Sequence, residues 1–157
     1  MADALRITYA SDFSPASLAA FAPALRLAKA TGGELTILHV LPSPASMFVA
    51  GGYVTQETWD LIEADIRSRA GEEMDRLVKR AGDAGVRVTP LFVEGGIAAE
   101  EIVRAAAEVK TDVLVLGTHG RTGVMKMLLG SVAARVVAMA ECPVLTVRMT
   151  EAAEGQR

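Results

Sequence analysis

The chain has 157 residues, a formal net charge of −3, a hydrophobic content of 51% and an aromatic content of 4%. That length suits one domain around one substantial core, and the composition builds the core from aliphatic side chains rather than rings. The charge argues against a nucleic-acid binder held by a general positive field, while one cysteine (Cys142) and two histidines supply neither an internal disulfide nor a metal-ligand cluster.

The start, MADALRITYASDFS, has no basic segment followed by an apolar core and no span long enough to cross a bilayer. The expectation is a soluble, unexported, cytoplasmic protein that engages neither membrane nor nucleic acid. LRITYA (Leu5 to Ala10) reads as a first strand, and in SDFSPAS the hydroxyl of Ser14 is placed to cap a helix that opens on Pro15. Leu18, Phe21, Leu25 and Ala28 keep helical spacing up to Gly32-Gly33, with a kink expected at Pro23. ELTILHVLP (Glu34 to Pro42) is a second strand, aliphatic on both faces as in a sheet covered on two sides. A loop with Gly51-Gly52 follows. From Thr55 to about Ala84, Trp59, Ile62, Ile66, Ala70, Met74, Leu77 and Ala81 recur at helical steps and define one long amphipathic helix.

VRVTPLFVEGG (Val86 to Gly96) is a third strand, placed at a sheet edge by Pro90, which cannot donate to a ladder. A helix from about Ala98 to Val109 leads into DVLVLG (Asp112 to Gly117), the most continuous aliphatic strand and so a central one. Ser131 to Ala140 reads as a helix and PVLTVRM (Pro143 to Met149) as a last strand. The alternation βαβαβαβαβ implies a single α/β domain over residues 1–150, a doubly wound parallel sheet with right-handed crossovers. The polar tail 151–157 is expected to be disordered. Ligands of such sheets bind beyond the carboxyl ends of the strands.

Two segments lie there: the turn YASDFS and the glycine segment GTHGRTGVMKMLLGS (Gly117 to Ser131). The second is not a Walker loop, because Thr122 and Met125 stand where that pattern needs its second glycine, and it is not G-x-G-x-x-G either. What it contains is G-x2-G-x9-G-S after a strand and before a helix. Amides at a helix start, with the dipole behind them, favour an anion, and Arg121 and Lys126 add positive charge. The bland reading stands beside this one: Gly117 ends a strand, and Gly130-Ser131 turns and caps. Asp12 has a structural alternative too, satisfying the turn amides before Ser14. His39 reads as a hydrogen-bonded structural histidine, and His119 has no neighbouring carboxylate to orient it as a base. Met125 and Met127 are expected to pack under the loop, and Cys142 to act as a small hydrophobe.

From YASDFS through LTILHV and DVLVLGTHGRTG to LLGSVAARVV and CPVLTVR, the chain resembles the universal stress proteins of the UspA type. Gly117, Gly120, Gly130 and Ser131 match the G-x2-G-x9-G-[ST] motif of that family's ATP-binding branch. The resemblance implies a Rossmann-like five-stranded sheet in the order 3-2-1-4-5 with helices on both faces. It also implies that Gly120, Gly130 and Ser131 hold the phosphates of ATP while Gly117 lies against the ribose. Asp12 would accept from ribose or adenine, the main chain of Val40 would reach the adenine edge, and Ala10 and Leu116 would line the pocket. His119, Arg121 and Val132 complete the candidate site. The function implied is that of an ATP-binding regulatory protein, a homodimer through Pro143 to Met149, with Mg²⁺ held mainly by the phosphates and hydrolysis weak at most. Two rivals are an ATP-using enzyme of a related fold, which would call for an SGGxDS-like loop where this chain has YASDFS, and a family member that binds no nucleotide, which would have lost motif glycines.

Overall fold

The structure, a computed structural model, describes residues 4–43, 54–118 and 129–149. Its elements are β1 (Arg6–Ala10), α1 (Pro15–Leu18), α2 (Phe21–Thr31), β2 (Glu34–Leu41), α3 (Gln56–Asp83), β3 (Arg87–Glu94), α4 (Ala98–Glu108), β4 (Val113–Gly117), α5 (Ser131–Met139) and β5 (Val144–Val147). All strand pairs are parallel, in the order β3-β2-β1-β4-β5. Pro90 therefore sits on an edge strand, opposite Ile37 of β2, where a missing N–H need not break a ladder on the outer side. Gly51-Gly52 and the tail 151–157 lie outside the described residues.

Alternation along the strands divides the apolar side chains between two cores. Ile7, Tyr9, Leu35, Ile37 and Val115 meet Phe21 and Ala24 of α2 and Met74, Leu77 and Ala81 of α3 on one face. Ala10, Leu38, Leu114 and Leu116 meet Ala99, Ile102 and Ala105 of α4 and Ala133 and Val136 of α5 on the other. Period-two patterning thus places helices on both faces of the sheet.

The helix expected from Ser14 to Thr31 is two helices, broken at Ala19-Ala20 rather than kinked at Pro23. Ser14 caps α1 through Ser17 N–H, and Pro15 is its first residue. Pro23 falls in the first turn of α2, where its absent N–H has no helical partner to lose. The break has a packing cause: α1 lies on β4, α2 on β1, and one straight axis cannot serve both.

The long helix also differs from its pattern. Ala70, Met74, Leu77 and Ala81 are buried, but Trp59, Ile62 and Ile66 are only half-buried and Leu61 is 72% exposed. The 28 residues of α3 rise roughly 42 Å, whereas the eight-residue strand β3 spans roughly 26 Å, so one end of the helix must overhang the sheet. Asp112, expected to begin the fourth strand, instead accepts from the Arg6 backbone N–H (2.8 Å), Nε (3.1 Å) and Nη2 (3.0 Å), clamping the entry to β1.

Candidate functional site

The turn after β1 is held by buried hydroxyls. Tyr9 Oη donates to the Ser17 carbonyl at 2.8 Å and lies 3.0 Å from Ser11 Oγ, which is itself 2.9 Å from Ser17 Oγ; Ser17 Oγ donates to the Ser14 carbonyl. Burial pushes the Tyr9 hydroxyl up to about 12, against the downward pull of its bond with Ser11. Asp12 Oδ1 accepts the Ser14 N–H at 3.0 Å, so its carboxylate does perform the local turn role. His39, on β2, bonds through Nδ1 to the Ser11 carbonyl at 2.7 Å. The structural reading of this histidine holds.

Across the sheet's switch point, β4 ends at Gly117 with α1 against it. A Cβ on Gly117 would lie 2.6 Å from the Ala16 carbonyl oxygen, so the glycine is required by the close approach of a helix backbone. Thr118 N–H donates to the Val147 carbonyl at 2.9 Å, and Gly130 N–H donates to the Thr118 carbonyl at 2.6 Å, which brings the start of α5 beside the end of β4. Gly130 is the N-cap residue of α5, with φ −67° and ψ 160°, and among the described residues no side chain caps the helix. Ser131, whose hydroxyl could have capped, is instead the first helical residue. The first-turn amides therefore have neither a helical acceptor nor, among the described residues, a capping side chain.

Between these two ends opens a cavity of about 280 Å³. Its walls are Ala10, Ser11 and Asp12 after β1, Ser17 of α1, Leu38 and Val40 of β2, Ala98 and Ile102 of α4, Leu116, Gly117 and Thr118 at the end of β4, and Gly130, Ser131, Val132 and Ala133 at the start of α5. Eight candidate residues come together here: Ala10, Asp12, Val40, Leu116, Gly117, Gly130, Ser131 and Val132. His119, Gly120 and Arg121 lie outside the described residues, as do Met125, Lys126 and Met127. Sequence reasoning missed Ser11, Ser17, Leu38, Ala98, Ile102, Thr118 and Ala133. Leu38 was within reach, since alternation puts it on the same face as Val40; Ala98, Ile102 and Ser17 reach the cavity only through tertiary packing.

Cys142 is half-buried against the α4–α5 core, and burial pushes its thiol up, the environment of an inert small hydrophobe. Among the described residues no group of three or more His, Cys, Asp or Glu side chains could hold a metal ion, and no helix is long and apolar enough to cross a membrane.

A parallel sheet with this strand order, and a cleft at the carboxyl ends of the two strands flanking the switch point, defines a Rossmann-like α/β domain with a cavity where ligands of such sheets bind. The chain belongs to the universal stress protein family, whose model matches residues 4–148. It is 36% identical over 143 residues to the universal stress protein MJ0531 of Methanocaldococcus jannaschii, covering 91% of this chain and 81% of that one. Among solved structures it is similar to MJ0577 of the same organism, with a TM-score of 0.80, 28% identity and coverage of 94% and 97% of the two chains. A universal stress protein solved in complex with cAMP superposes with a TM-score of 0.64 at 26% identity, covering 94% of this chain and 98% of that one.

Proposed function

We propose that this universal stress protein binds ATP with Mg²⁺ in the cavity between β1 and β4, and that nucleotide occupancy sets the shape or the partners of a cytoplasmic homodimer. The observation that carries the reading is the start of α5, capped by no side chain among the described residues and opening into the same cavity as the Asp12 carboxylate. A helix N-terminus without a side-chain acceptor suits phosphate oxygens, and a carboxylate suits sugar or base donors. Leu38, Leu116, Ile102 and Val40 supply apolar wall for a flat ring, and the volume of about 280 Å³ is near the lower end of the roughly 300–1,000 Å³ usual for small-molecule sites. The cAMP complex of a relative supports adenine as the base.

In this reading Gly130 and Ser131, with Gly120, hold the phosphates, Gly117 lies against the ribose, and the main chain of Val40 meets the adenine edge. Ala10, Leu116 and Val132 line the pocket, and His119 and Arg121 complete the set of candidate residues. Gly130 has a φ open to any residue, so its value to a ligand is close approach. Mg²⁺ would be carried chiefly by the phosphates, which makes the protein a binder before it is a hydrolase. β5 ends the sheet, with Leu145 41% exposed, and pairing of this strand with its twofold copy closes a dimer.

Titration calorimetry with Mg²⁺–ATP tests the site. Gly130→Val should fold and lose binding, because a β-branched side chain would stand where phosphate must approach. Equal affinity in wild type and a folded variant would remove the phosphate site.

A further inference from the structure

Asp12 sits in a turn whose backbone is not relaxed. Phe13, immediately after it, has a φ of 60°, the left-handed region that a bulky side chain rarely occupies. Something outside the turn must hold it there. The Phe13 ring stacks on the imidazole of His39 with centroids 4.4 Å apart and planes at 27°. On the other side of Asp12, the Ser11 carbonyl lies 2.7 Å from His39 Nδ1. A carbonyl only accepts, so Nδ1 carries the hydrogen, and the ring is fixed in one tautomer or protonated at both nitrogens. His39 is itself immobilised: it is 3% exposed, sits in β2 in register with Phe92 of β3, and meets the Phe92 ring edge-on at 6.1 Å.

We propose that His39 is a positioning residue, gripping the backbone before Asp12 and the ring after it so that the carboxylate is presented to the nucleoside part of the ligand. His39 does not line the cavity, so its effect on a ligand must pass through the turn it holds, whose Ser11 and Asp12 do line it. The proposal rests on the nucleotide reading given above, and two reporters separate the two. The Phe13 N–H donates to Ser11 Oγ and the Ser14 N–H to Asp12 Oδ1, each at 3.0 Å, so both amides register the state of the turn without any ligand.

The test uses His39→Phe, which keeps a ring and removes the donor, and His39→Asn, which keeps an N–H donor and removes the stack. In unliganded protein, hydrogen exchange at the Phe13 and Ser14 amides should quicken by about tenfold in each, the size of one lost contact, while Leu114 to Leu116 of β4 stay protected. Affinity for ATP should fall by about the same factor, and affinity for inorganic triphosphate should not change. Unaltered exchange in the turn, or an equal loss for ATP and triphosphate, would overturn the proposal. Should the buried replacements fail to fold, Phe13→Ala at a half-buried position gives the same readouts. Wild-type protein that binds no ATP would sink the nucleotide reading and the affinity arm with it, while the exchange arm still decides whether His39 holds the turn.

Discussion

Replacing Gly117 with alanine and Gly71 with alanine makes the same chemical change at two sites and should move stability in opposite directions. At Gly117 the new methyl would stand 2.6 Å from the Ala16 carbonyl oxygen and 3.0 Å from both the Ala16 carbonyl carbon and Ser17 Cα, all of them backbone atoms of α1. Either α1 or β4 must move, and overpacking of this kind costs about 1–3 kcal/mol. The unfolded chain loses about 0.4–1 kcal/mol of conformational freedom, which favours alanine, so a net destabilisation of roughly 1–2 kcal/mol remains. At Gly71, inside α3, the methyl meets nothing within 4 Å, and helix propensity stabilises by about 0.5–1 kcal/mol. Urea unfolding measures both: with a slope of about 1–3 kcal/mol per molar, the Gly117→Ala midpoint should fall by roughly 0.5–1 M, and the Gly71→Ala midpoint should rise by a few tenths. A Gly117→Ala protein as stable as wild type would show that α1 is not seated on β4 as described.

Three other outcomes can be measured. The Arg6 guanidinium and backbone N–H hold the Asp112 carboxyl below its ordinary value, so their contribution is present above about pH 4 and lost as pH falls through the lowered folded value; Asp112→Asn should flatten the acid limb of unfolding midpoint against pH, and parallel limbs would contradict it. Tyr9 is shifted the other way, to about 12, so its contribution is complete below the unfolded value near pH 10 and declines as pH rises toward 12. Tyr9→Phe should delete a late phenolate step from the absorbance titration and cost about 1 kcal/mol at neutral pH, whereas a Tyr9 that ionises near 10 would refute its burial. For the dimer, Leu145→Pro or Thr146→Lys should give monomer by sedimentation and truncation after Met149 should not; a wild-type monomer at micromolar concentration would defeat strand pairing.

Those elements whose signals are local were legible in the sequence. Aliphatic runs marked the strands, Pro90 marked an edge, and Gly32, at φ 62°, marked the end of the helix before β2. Local signals misplaced the break in the first helical region, because Pro23 is harmless in a first turn and the true break is imposed by two strands that α1 and α2 must reach separately. Helical spacing likewise extended the apolar face of α3 through Trp59 and Ile62, since periodicity records amphipathicity but not where the sheet stops. Asp12 and the glycines Gly117 and Gly130, singled out by their pattern, fall on the walls of one cavity. That Ser131 would leave the cap to Gly130, or that Tyr9 and Ser17 would brace the turn, depends on pairs brought together by folding, and no spacing in the chain announces them.

The sheet also acts as a partition. Ala10, Leu38, Leu116, Ile102 and Ala133, which line the cavity, belong to the core on the α4–α5 face, while Tyr9, Phe21 and Met74 pack on the opposite face and are not among its walls, Tyr9 reaching them only through its hydroxyl. The backing core can hold the strands in place while the side chains that meet a ligand are exchanged one at a time, and a loss of packing around the cavity need not reach the other layer. A lineage built on this plan is free to change what it binds without first having to solve its stability again.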